Sequence, residues 1–163
     1  MDARAIAQLL GKLPFSAPLP QAVVDRLAAS ATIRSYPADT VLFREGMHND
    51  QLMIIAAGHV ALDMRVAARH EVRILSLGPG DMLAWSALLG GGWMTTSATA
   101  VQDTQVVAVS ADAALALCEA NPDFGYHLMR QVALALANRL VATRLQLLDS
   151  FADAQPAVAR GPD

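Results

Sequence analysis

The segment Gly78-Pro79-Gly80-Asp81-Met82-Leu83-Ala84-Trp85-Ser86-Ala87-Leu88-Leu89 places a tight turn directly before a short apolar helix. Pro withdraws a backbone donor and Gly accepts angles that other residues resist, so a strand must end there. A helix start in that position presents free backbone N–H groups, which is anion-binding chemistry. Met94-Thr95-Thr96-Ser97-Ala98 follows with hydroxyls that are either solvated strand residues or uncharged donors in a pocket. No Arg or Lys occurs from Ile74 to Met129. Other chemistries are weakly represented. His48, His59, His70 and His127 form no i, i+4 pair and no HExxH arrangement, which argues against a metal site. Cys118 is a single cysteine and cannot hold an iron–sulfur cluster alone. Gly90-Gly91-Gly92 lacks a following Lys and reads as a loop tip rather than a nucleotide cradle. No Ser, His and acid constellation stands out, so binding is expected and catalysis is not.

The elements that must position this segment can be read from turn spacing. Ala3 to Leu10 has apolar residues at helical spacing, and Gln21 to Ala28 follows a Pro, which suits a helix start. From about 31 to 109, short runs of Val, Ile and Leu are separated by turn residues every 8–12 positions, such as Tyr36-Pro37-Ala38-Asp39, Gly46, Gly58 and the Gly-Pro-Gly turn. That spacing argues for an antiparallel barrel or jelly roll. Ser110 is a cap for a helix to about Glu119, and Asn121-Pro122-Asp123 supplies a cap, a first-turn Pro and a first-turn acid for a long final helix. The expected fold is mainly β with flanking helices: a double-stranded β-helix (jelly-roll) barrel with a long C-terminal helix. The domain is expected over 1–151, with the long helix at about 122–150 and a disordered tail at 152–163.

The long helix carries two apolar stripes. Val132, Leu136, Leu140, Thr143 and Leu147 make one; Leu134, Val141, Leu145 and Leu148 make another on a different side. Either both wrap against the barrel and the first helices, or one packs inward and the other pairs with a second copy. We expect the second arrangement, a homodimer with its seam at Val132, Leu136, Leu140, Thr143 and Leu147. Net charge is −3 with one lysine, Lys12, which disfavours a nucleic-acid partner. No apolar run approaches the roughly 20 residues of a membrane span. The first residues lack the pattern of a signal peptide, and one cysteine suits a reducing compartment. A cytoplasmic protein is expected.

Five motifs in order resemble the cyclic-nucleotide-binding domain of the catabolite-activator and anaerobic-regulator superfamily. They are Leu13-Pro14-Phe15 with Leu27-Ala28, the hairpin Tyr36 to Gly46, the strand pair Leu52 to Val60 around Gly58, the turn Gly80-Asp81, and Ala120-Asn121-Pro122-Asp123. The resemblance covers about residues 13 to 150. It implies a sensor domain in which the segment after Gly80-Asp81 is a phosphate-binding cassette. The candidate ligand positions are then Ala84, Trp85, Ser86 and Ala87 in the cassette helix, and Met94, Thr95 and Thr96 after it.

The resemblance also exposes departures. The family's Gly at the start of the cassette helix is Ala84 here, and Asp39 stands where Gly is common. Its ribose-binding Glu is Trp85, an indole that donates but does not accept. Its phosphate-binding Arg is Met94 or Thr95, depending on one gap; Arg65 or Arg73 are the substitutes that could reach in. An Arg–phosphate contact is worth roughly 1.5–3 kcal/mol, so losing it and the Glu contact lowers affinity on the order of a hundredfold or more. A cyclic nucleotide is therefore expected to bind weakly and no cofactor is expected. Trp85 and Trp93 are either ordinary packing at the barrel mouth, a lid over a planar ligand, or a plug. The family's helix-turn-helix domain is not expected after the long helix, and DNA binding is not expected. Three functional readings stay open: a regulatory sensor module with a diverged cassette, a ligand-free interaction subunit acting on a protein partner, and a haem-type gas or redox sensor.

Overall fold

The structure is a computed structural model and describes residues 2–66 and 70–153. Helices α1 (Ala3–Leu10) and α2 (Gln21–Ala29) open the chain, with a 3-10 turn at Pro14–Ser16 between them. Eight strands follow: β1 (Ala31–Tyr36), β2 (Val41–Phe43), β3 (Gln51–Ala57), β4 (Val60–Val66), β5 (His70–Leu77), β6 (Met82–Leu83), β7 (Ser97–Ala100) and β8 (Thr104–Ser110). The short α3 (Ser86–Leu89) lies between β6 and β7, and α4 (Ala111–Ala120) and α5 (Pro122–Asp153) close the chain. Ser110 caps α4 by accepting the Ala113 N–H at 3.2 Å, and Asn121 caps α5 by accepting that of Phe124 at 3.0 Å. Ala152 and Asp153, expected in the tail, still belong to α5. The remainder of the expected tail lies outside the described residues.

The strands form two antiparallel sheets, ordered β1-β8-β3-β6 and β2-β7-β4-β5. β8 pairs on both sides, Val109 facing Ala31 of β1 and Leu52 of β3. Two apolar clusters sit on opposite faces of that first sheet. Met53, Ile55, Val106 and Ala108 point into the barrel with Val60, Leu62, Leu83 and Met94. Leu52, Ile54, Val107 and Val109 point outward to a helical layer of Leu10, Leu27, Phe124 and Leu128. The period-two alternation of a strand thus serves two cores. It explains why β3 reads as an unbroken apolar run rather than an alternating one.

The deep apolar burial of α5 lies in its first turns, and further along it meets the barrel through Arg139 at Thr95 and Gln146 at the Arg73 carbonyl. Phe124, Leu128 and Val132 recur every fourth residue and are buried in the helical layer, and Leu136 is half-buried against it. Burial of each such side chain contributes about 1.5–3 kcal/mol. Further along, Leu140 and Leu147 are exposed, as are Leu134, Val141, Leu145 and Leu148. The stripe read from the sequence therefore does not stay on one surface. Val132 and Leu136 belong to the core of the chain itself, while Leu140 and Leu147 do not. The helix outruns the layer that covers it.

Candidate functional site

The turn before the cassette is held by backbone. The Gly80 N–H donates to the Ile55 carbonyl at 2.8 Å, and the Ile55 N–H to the Asp81 carbonyl at 3.0 Å. Asp81 folds back to accept the Gly78 N–H at 2.8 Å. Gly80 is at φ +91°, and a Cβ there would meet the Pro14 ring at 2.8 Å, so only Gly fits. Ala84 adopts φ +59°, a left-handed conformation that costs an L-residue about 1–2 kcal/mol. It turns the chain so that Ser86, Ala87 and Leu88 face inward and are buried. Asp39 is likewise at φ +65°. Both left-handed positions are those where Gly was anticipated, and the backbone shape persists without it.

The helix α3 itself is a single turn. Its Ala87 and Leu88 N–H groups already donate to the Ala84 and Trp85 carbonyls, each at 2.9 Å. A one-turn helix thus consumes donors that a longer one leaves free, and the anion chemistry read from the sequence is correspondingly diminished.

The side chains around this turn divide cleanly. Met94 is buried in the barrel core, whereas Thr95, the neighbouring candidate, is exposed. Thr96 and Ser97 are buried, and the Ser97 hydroxyl accepts the Glu45 N–H at 3.0 Å. Trp85 is half-buried and packs against the helical layer. Trp93 is 60% exposed and meets His48 edge-on, with ring centroids 5.5 Å apart.

One basic residue does reach the cassette, and it comes from α5. The Arg139 guanidinium lies over the Trp85 ring, 5.4 Å from its centroid, and Nη1 donates to Thr95 Oγ1 at 3.3 Å. Burial pulls its pKa below the ordinary value, although a guanidinium stays charged in proteins. Among the described residues no carboxylate lies within 4.0 Å of it. Arg73 does not take this place, because it pairs with Asp63 at 3.2 Å. Arg65 donates its backbone N–H to the Glu45 carboxylate at 2.8 Å.

Arg139 also borders a cavity of about 200 Å³ between the second sheet and α5. Leu62, Leu75, Leu77 and Met82 form its apolar side, with Phe15, Gly80 and Asp81 at the turn. Gln131, Leu134, Ala135, Asn138 and Arg139 form the helix side. Trp85, Ser86 and Thr95, expected to line a pocket, stand outside this one; Trp85 and Thr95 touch the guanidinium of Arg139. The residues the sequence reading missed are Gln131, Asn138 and Arg139. A signal for them existed, since Gln131, Ala135 and Asn138 recur at i, i+4 and i+7, a polar face between the two apolar stripes.

Residues 33–121 match the profile of the cyclic nucleotide-binding domain. The chain belongs to that family. A curated relative, the cyclic AMP receptor protein of Thermus thermophilus, is 34% identical over 127 residues, which are 77% of this chain and 57% of that protein. The chain thus spans little more than half of that relative. Among solved structures, the catabolite activator protein of Thermus thermophilus superposes with a TM-score of 0.70 at 29% identity, covering 83% of this chain and 63% of the other. A cyclic nucleotide-binding domain of Methylobacillus flagellatus has a TM-score of 0.74 at 20% identity, over 91% of this chain and 83% of the other; at that identity the likeness is one of fold. This cyclic nucleotide-binding domain shares its relatives' jelly roll. Among the described residues no helix is long and apolar enough to cross a membrane.

Proposed function

We propose that the chain is a regulatory effector-binding module in which a ligand between barrel and α5 sets the position of that helix. The observation that carries this reading is Arg139: it is part of α5, touches the cassette at Trp85 and Thr95, and borders the cavity. A ligand there contacts barrel and helix together. Any difference in its affinity for two helix positions shifts their populations. The exposed Leu140, Val141, Leu145, Leu147 and Leu148 support homodimerisation through the second half of α5, since monomers seldom leave so long an apolar band uncovered. Regulation of a partner in the cytoplasm, without catalysis and without intrinsic DNA binding, completes the reading. The net charge of −3 supports the last point.

A second reading, a ligand-free interaction subunit, is favoured by one observation: Trp85 packs onto the helical layer as a plug would. The cavity beside it favours the first.

Cyclic AMP at micromolar concentration is not the effector on this reading. Trp85 cannot accept from a ribose hydroxyl, and Thr95 brings no charge to a phosphate. Calorimetry on the full chain is expected to show no cyclic AMP binding tighter than about 10 μM, equivalent to roughly −7 kcal/mol. A tighter constant would return the protein to ordinary cyclic-nucleotide sensing.

A further inference from the structure

The effector-pocket reading can be deepened, and the following rests on it. A cavity of about 200 Å³ is small. An apolar protein cavity of about 150 Å³ takes benzene, and drug-sized ligands occupy about 300–1,000 Å³. One ring or a short branched chain fits this space. The barrel side is apolar, through Leu62, Leu75, Leu77 and Met82. Its acid, Asp81, is folded onto its own turn at the Gly78 N–H.

The helix side supplies the charge. Arg139 is partly desolvated, has no acidic partner among the described residues, and has one recorded protein hydrogen bond, to Thr95. A guanidinium carries five donors in a planar fork that matches a carboxylate in bidentate fashion. The indole of Trp85 behind it holds that plane through a cation–π contact, which neutralises none of its charge. Among the described residues no other Lys or Arg borders the cavity, and the Asp81 carboxylate borders it too, so Arg139 is the single cation a ligand anion can meet there and a dianion is disfavoured.

We propose that this cavity takes a small carboxylic acid with an apolar body, the carboxylate held by Arg139 of α5 and the body by Leu62, Leu75, Leu77 and Met82. The anion site of this domain has in effect moved from the cassette to the helix, so the charge that captures the ligand sits on the element that must respond. Thr95 and Trp85 act as positioning residues for that guanidinium.

The test is calorimetry on the full 163-residue chain with three acids and their neutral amides: benzoate, phenylacetate and hexanoate against benzamide, phenylacetamide and hexanamide. At least one acid is expected to bind tenfold or more tightly than its amide, a difference of about 1.4 kcal/mol. Arg139→Gln is expected to abolish that preference by weakening the acid far more than its amide, and Arg139→Lys to retain part of it. If Arg139→Gln does not fold, as judged by circular dichroism, Thr95→Val decides, because Thr95 is exposed; there the preference must fall at least about threefold. The proposal is overturned if no acid outbinds its amide, if Arg139→Gln keeps the preference, or if Thr95→Val leaves it intact. Acids and amides binding alike would remove the carboxylate assignment and leave the effector pocket standing. Micromolar cyclic AMP binding would instead remove the reading beneath it.

Discussion

The cassette and the long helix meet at Arg139, and they differ in what holds them. The cassette makes a left-handed turn at Ala84, as the hairpin does at Asp39, without glycine, and presents Trp85 and Thr95 to Arg139. The helix α5 has an ordinary backbone but brings Gln131, Asn138 and Arg139 to the cavity. Backbone geometry and binding chemistry are therefore separable. A turn held by main-chain hydrogen bonds survives replacement of its side chains, while a charge can be supplied by any element that passes within reach. The two also differ in completion. The buried cassette residues Ser86, Ala87 and Leu88 are covered within one chain, whereas the second half of α5 is not.

The largest effect that would sharpen this contrast is expected at Leu140, which is 51% exposed. Leu140→Glu places like charges in the proposed seam and is expected to cost about 3–5 kcal/mol or more per dimer, with little change in the stability of a single chain. Light scattering coupled to size exclusion reads this directly. A wild-type dimer whose variant stays dimeric would place the seam elsewhere and leave the exposed half of α5 without that explanation.

A smaller effect probes whether the missing charges alone separate the cassette from cyclic-nucleotide binding. Trp85→Glu combined with Thr95→Arg restores both contacts and removes a bulky indole. Cyclic AMP affinity is expected to rise about a hundredfold or more, from two contacts of roughly 1.5–3 kcal/mol each. Calorimetry showing no gain would mean that the cassette backbone has changed as well, and the comparison above would fail.

The smallest effect concerns the turn. Ala84→Gly relieves about 1–2 kcal/mol of left-handed strain but adds about 0.5–1 kcal/mol of backbone entropy and loses about 0.8 kcal/mol of methyl burial. Its net change in urea unfolding is expected within about 1 kcal/mol of zero. Ala98→Gly, fully buried in β7, has no strain to relieve and is expected to cost more. Equal costs at the two sites would show that the φ of Ala84 carries no penalty.

Most of the fold was legible because its signals are local. Ser110 and Asn121 cap the helices they precede, and the Gly-Pro-Gly-Asp turn ends β5 where a chain lacking a donor must stop pairing. The candidate site was half legible. The sequence placed Trp85 and Thr95 at the cassette, but left Met94 and Thr95 as equal candidates for one position. Their surroundings differ: Met94 enters the barrel core, and Thr95 meets Arg139. Two apolar stripes on α5 drew the reading away from the polar face between them.

By itself, then, the order of turns, caps and apolar runs determined a jelly roll with a long final helix, and the residue types determined that no Arg or Lys lies from Ile74 to Met129. Those properties follow from interactions a few residues apart along the chain. Only the tertiary structure decided that Val132 is core while Leu140 is surface, and that Arg139 stands over Trp85. Thr95 and Arg139 are 44 positions apart, and their meeting depends on where α5 crosses the barrel. That crossing is set by the packing of α5 on α4, β5 and β6, with Phe124 and Leu128 in the helical-layer core, a sum of contacts between distant segments that no local pattern encodes.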